Sequence, residues 1–224
     1  MTGIVLASSL RWLLRKPTLG HNQQERLDLI NARLAAHNKN VSGSHIKSLR
    51  LGDIVQDTGW AELKGKAIKA ASTRHLVPFV RSMVEEFCRD PNSAIDVSTK
   101  KAVQSLDTMY NILYNAEMFL KHNELTTLAD TLSRLGRHHQ LLRHLCEQER
   151  LLCWQVTPKV HYCQHIEVES RLINMRYTQN YAEESLQGVV ANVWGGSNSG
   201  PWRDCIQKTA LLKYCVVLVT VMDL

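Results

Sequence analysis

Turn-forming residues are scarce in this sequence, with 11 Gly and 5 Pro among 224 residues. That is too few for a sandwich or barrel built on many tight turns. Long apolar runs are missing too. The longest, Cys215 to Met222, is far too short to span a bilayer, so no membrane span is expected. No Gly-rich loop ends in Gly-Lys-Ser/Thr, no nucleophile elbow is present, and no His-Glu-x-x-His helix occurs. The glycines of Gly195-Gly196-Ser197-Asn198-Ser199-Gly200 follow no strand and carry no lysine, so they read as a flexible loop rather than a phosphate cradle. Aromatic residues are not interleaved with the basic ones, which excludes stacking on bases and leaves phosphates and shape as the means of any nucleic-acid contact.

What is present points to helices. Apolar residues make up 44% and charged residues 21%, the balance of a globular chain able to bury a core. Leu, Ala, Lys, Arg, Glu and Gln are abundant, and all are good helix formers. The expected fold is all-α, an irregular bundle of six to eight helices around a long antiparallel helical hairpin. The formal charge is +6, a balance that steers a protein toward polyanions but is also common in proteins that bind none. The six cysteines (Cys88, Cys146, Cys153, Cys163, Cys205, Cys215) lack the dense spacing of a secreted scaffold and read as reduced, buried and intracellular, whether nuclear or cytoplasmic.

Met1 to Pro17 has an apolar run followed by Arg11, Arg15 and Lys16, the reverse of a secretory signal. Its amphipathic, acid-free composition is also that of an organellar transit peptide. Residues 1–20 are therefore expected to form an N-terminal segment, disordered or amphipathic, ahead of a single helical domain over 21–224.

Along the chain, residues 22–37 place Leu27, Ile30 and Leu34 on one face of a helix. One or two helices are expected over 60–88, with Pro78 as a boundary or kink. Asp90-Pro91-Asn92-Ser93 breaks the chain, and Ser98 is expected to cap a helix running to about Leu120, with Val103, Leu106, Tyr110, Leu113 and Phe119 or Leu120 as its core stripe. Residues 124–152 carry Leu125, Leu128, Leu132, Leu135, Leu142 and Leu145 at helical spacing, joined to the preceding helix through Lys121-His122-Asn123. Thr157 and Pro158 are placed as cap and first residue of another helix. Further helices are expected over 178–193 and 202–222. The last is apolar enough to call for a covering protein partner.

Several residues could carry chemistry. His161 and His165 lie four apart and share a helix face, with Cys163 between them and Cys146 and Cys153 upstream, a set able to hold a divalent metal. Glu183 and Glu184 are the candidate catalytic carboxylates. A structural role, with imidazoles and carboxylates paired to each other, fits the same residues. Two basic patches are candidate phosphate-backbone contacts. One spans residues 45–81, with Lys64, Lys66, Lys69 and Arg74 among seven cations facing Asp53, Asp57 and Glu62. The other holds Arg134, Arg137 and Arg143 with His138, His139 and His144. A solvated helix surface explains both patches as well.

The run Thr157-Pro158-Lys159-Val160-His161-Tyr162-Cys163-Gln164-His165, then Tyr177, then Tyr181-Ala182-Glu183-Glu184-Ser185-Leu186-Gln187-Gly188, resembles the C-terminal part of transposon-encoded, transposase-like proteins. The upstream Trp60-Ala61-Glu62-Leu63-Lys64-Gly65-Lys66-Ala67 fits the same broad class. The resemblance implies a ribonuclease-H-like core with a helical insertion, and three acids holding two metal ions, the last at Glu183 or Glu184. Nothing before residue 150 reads as the five-stranded sheet that would carry the two earlier acids. The chain is thus expected to be the helical and C-terminal part of a larger protein, catalytically incomplete, with sequence-independent affinity for nucleic acid. A helical interaction or scaffold domain, and a metal-dependent hydrolase using His161, His165 and Glu183, are the alternatives.

Overall fold

A computed structural model describes residues 1–41, 45–64, 68 and 70–176; the fold is all-α. The expected helices over 178–193 and 202–222 lie outside the described residues. Met1–Thr178 forms one compact unit.

Seven α-helices occur among the described residues: α1 (Thr2–Leu13), α2 (Gln23–Asn38), α3 (Leu51–Ile54), α4 (Ala70–Phe87), α5 (Ala94–Asn115), α6 (His122–Gln148) and α7 (Pro158–Ser170), with a 3₁₀ turn at Pro17–Leu19. The centre is the antiparallel hairpin of α5 and α6, the most extensively packed pair of helices. Leu128, Leu132, Leu135 and Leu142 of α6 are buried against Val103, Leu106 and Leu113 of α5, on the stripes that the spacing predicts. Helix α4 packs on α5, α1 lies on both, and α7 packs on α6.

Helix starts are set by local hydrogen bonds. The Asn22 side chain accepts from the Glu25 amide at 2.9 Å, and Glu25 in turn accepts from the His21 amide at 2.8 Å. Ser93, not Ser98, caps α5, accepting from the Asp96 amide at 3.2 Å, while Ser98 is buried within the helix. Glu124 accepts from the Lys121 amide at 2.7 Å and opens α6 two residues before the expected start. Thr157 and Pro158 hold the predicted N-cap and first positions of α7, but the Thr157 hydroxyl makes no capping hydrogen bond.

The hairpin connection differs from expectation. Helix α5 ends at Asn115; of Phe119 and Leu120, the two alternatives for the end of its core stripe, Phe119 is 64% exposed in the link while Leu120 packs partly buried against the core. The reason lies far along the chain. The fully buried Asn174 donates its amide hydrogens to the carbonyls of Leu113 and Glu117, each at 2.9 Å, and its backbone amide to Met118 at 2.7 Å. These bonds satisfy carbonyls that a continued helix would have engaged.

Residues 60–64 are also corrected. They are not helical: Ala61 forms an isolated antiparallel bridge with Val55, its amide bonds the Leu152 carbonyl at 2.9 Å, and Leu63 bonds Gly3 at 3.2 Å. Non-local partners take the amides that a helix would need. Pro78 neither ends nor bounds a helix; it lies inside α4.

The N-terminal segment is neither detached nor disordered. In α1, every residue from Ile4 to Leu10 is buried, so this helix is surrounded rather than one-sided. Each buried Ile or Leu contributes roughly 1.5–3 kcal/mol. Arg11 donates to the carbonyls of Gly59 and Leu152, tying α1 to both irregular segments. Gly59 sits at φ 81°, where a side chain would be strained and its Cβ would approach Leu152 to 3.1 Å.

Candidate anion-binding site

The hairpin places Lys101 of α5 beside Arg134, Arg137 and His138, the start of α6's basic run. Lys101, Arg134, Arg137, His138 and Leu141 line an open cleft of about 390 Å³. Arg134 and Arg137 are one turn apart and share a face. Lys101 reaches the same face because the antiparallel register sets it opposite Arg137. The sequence reading had Arg134 and Arg137; it missed Lys101, whose only signal is that register.

None of the three cations forms an ion pair with a described carboxylate, although Asp130 lies one turn before Arg134. Like charges held together without counter-charges make a local positive field. His138 reports it. Burial first, then the charges of Arg137, Lys101 and Arg134, hold its pKa below the ordinary 6.5. Its Nδ1 is buried with no protein hydrogen-bond partner.

The other basic candidates have local partners. Arg143 pairs with Glu147 at 2.9 Å, and Lys64 with Glu62 at 3.0 Å. Arg74 lies 4.1 Å from the Tyr114 ring centroid and 3.1 Å from His75, toward the loop end of the hairpin and away from the cleft. Lys66 and Lys69 lie outside the described residues. The structure therefore gathers two of the seven candidates and ties three others elsewhere. A second hollow of about 490 Å³, lined by Gln56, Trp60, Glu62, Lys64, Gln155 and Thr157 among others, contains Lys64 with its acidic partner and carries no excess charge.

Most of the metal candidates lie outside the described side chains. Among the described residues no three His, Cys, Asp or Glu side chains gather to hold a metal. Helix α7 carries His161, Cys163 and His165; of these only the His165 side chain is described, and it is exposed. Glu183 and Glu184 lie outside the described residues. Nor do the described residues contain a strand to carry the acids that the transposase resemblance implies.

The described cysteines are buried and free. Burial pushes the Cys88 thiol up to about 12. Cys146 and Cys153 share a hydrogen bond, which raises the first thiol and lowers the second. His139, beside His138, faces inward, 1% exposed, and takes no part in the cleft.

No helix among the described residues is long and apolar enough to cross a membrane. No family model, curated protein or solved structure matches the chain.

Proposed function

We propose that this chain is a mobile-element-derived helical domain, catalytically incomplete, that binds the phosphate backbone of nucleic acid without reading sequence. One observation carries the binding: Lys101, Arg134 and Arg137, from two packed helices, converge on one cleft with no described carboxylate paired to them. All three are exposed and open to a phosphate, and the contact releases condensed counterions. Phosphates position a duplex but carry no base information. The proposed origin rests on the resemblance of residues 157–188 and, more broadly, of residues 60–67.

The test is binding of the purified chain to labelled single- and double-stranded DNA and RNA across a salt series, with and without magnesium. Salt-dependent binding weakened by neutralising Lys101, Arg134 and Arg137 supports the reading. Absence of binding at low salt removes it.

An interaction-domain reading has its own support in α7. Val168 is 60% exposed and Leu172, one turn on, 77% exposed, an apolar pair that a monomer in water leaves uncovered. Light scattering across a concentration series separates a self-associating chain from a monomer.

A further inference from the structure

Of the groups lining the cleft, His138 is the one whose charge changes near neutral pH. The charges facing it are Arg134 and Arg137 from its own helix and Lys101 from α5. Its neighbour His139 points to the opposite side, against Trp154. With three cations around it and no acceptor for its buried Nδ1, the imidazole of the free protein is neutral at pH 7.

A phosphodiester seated against Lys101, Arg134 and Arg137 cancels the field that repels a proton from the ring. We propose that the cleft takes up a proton at His138 when it binds a phosphodiester backbone, so that affinity for nucleic acid rises as pH falls. This rests on the reading of the cleft as a phosphate site.

The sign follows from reciprocity: if bound phosphate favours the protonated imidazole, then protonation favours bound phosphate by the same factor. Affinity is level above the pKa of the bound state, rises as pH drops below it, and levels again below the pKa of the free state. One full proton gives at most about tenfold per pH unit between those limits. A phosphodiester keeps its single charge throughout this range, whereas a phosphate monoester titrates near pH 6 and would confuse the result.

The experiment uses the full chain and a short labelled DNA duplex, with binding followed by anisotropy from pH 8 to pH 5.5 at fixed ionic strength. Wild type is expected to bind several-fold tighter at the acid end, and His138→Gln, which is polar but does not titrate, to lose most of that gain. His75, beside Arg74 on α4, also titrates, so the comparison with the variant assigns the effect to the cleft. Calorimetry of the wild type in two buffers of different ionisation enthalpy reads proton uptake directly and needs no variant. The same pH dependence in His138→Gln, or wild-type binding without proton uptake, overturns the proposal while leaving the phosphate site standing. No binding at pH 8 and low salt, with none gained on acidification, removes the phosphate site and this proposal together.

Discussion

The imidazole of His139 stands edge-on to the indole of Trp154, with ring centroids 5.6 Å apart and planes at 85°. Both residues are almost fully buried, and neither ring nitrogen of His139 has a protein hydrogen-bond partner. The backbone of Trp154, at φ 58°, is held by a hydrogen bond from its amide to the Ser8 hydroxyl at 2.8 Å. The two contacts tie the segment after α6 to the interior of α6 through His139 and to α1 through Ser8.

It also makes the fold acid-sensitive. Burial chiefly, with the N-terminal amine and Arg143, lowers the His139 pKa from 6.5 to about 4. Above pH 6.5 the ring is neutral whether the chain is folded or not, and contributes no pH dependence. Between 6.5 and 4 the unfolded chain binds a proton that the folded chain refuses, so stability falls as pH falls. The full loss is about 3 kcal/mol. Urea midpoints at pH 7 and pH 4.5 should show it, and His139→Leu should remove most of the difference. Because the ring nitrogens make no protein hydrogen bonds, the same variant should be as stable as wild type at pH 7, or more stable by up to about 1 kcal/mol. A steep loss at pH 7 would mean that the nitrogens have a partner after all.

Asp96, 1% exposed, accepts hydrogen bonds on one oxygen from Lys16 at 2.6 Å and Trp12 at 2.7 Å, joining the end of α1 to the start of α5. Removing Lys16 leaves a buried carboxylate with no counter-charge. Lys16→Met should destabilise by about 3 kcal/mol. Asp96→Asn, which keeps an acceptor for Trp12 and leaves a lysine that can reach water, should cost less. Denaturant unfolding of the two variants gives the order, and the reverse order would refute the account.

Asn174 tests the capping of α5 from the far end of the described chain. Asn174→Ala strands carbonyls in a buried place and should cost about 1–3 kcal/mol. Asn174→Asp should cost more, because it turns a carboxylate toward those same carbonyls. Hydrogen exchange should locate both effects at the 113–121 turn. Equal stability of the two variants would show that the amide donor is not what holds the turn.

The hairpin was legible because its leucines repeat at helical spacing, and α2 because Leu27, Ile30 and Leu34 mark one face. Helix α1 was not, since a helix buried from Ile4 to Leu10 has little polar face to show its period. The alternation Trp60-Ala61-Glu62-Leu63-Lys64, with Ala61 and Leu63 buried, was the available sign of extended chain, overlooked beside a helical stretch. The end of α5 could not be read locally, because the side chain that caps it is some sixty residues away. In the cleft, Arg134 and Arg137 are readable as neighbours on a helix, but Lys101 joins them only through the register of a tertiary pair.

That three-cation cleft gives the function its sharpest number. If Lys101, Arg134 and Arg137 each neutralise one phosphate of a duplex, the slope of log affinity against log salt should be about −2.7. A fourfold rise, from 50 to 200 mM salt, then weakens binding about 40-fold. Replacing all three by glutamine should flatten the slope by nearly that amount and weaken binding alike on every duplex sequence, since no base is read. Arg143→Gln, at a residue already paired with Glu147, should leave the slope near the wild-type value, not shift it by the roughly 0.9 of a lost phosphate contact. Should the triple variant keep the wild-type slope, the counterions are released elsewhere and the cleft is not the interface. Should the variants discriminate among sequences, base contacts are being made and the backbone-only reading fails.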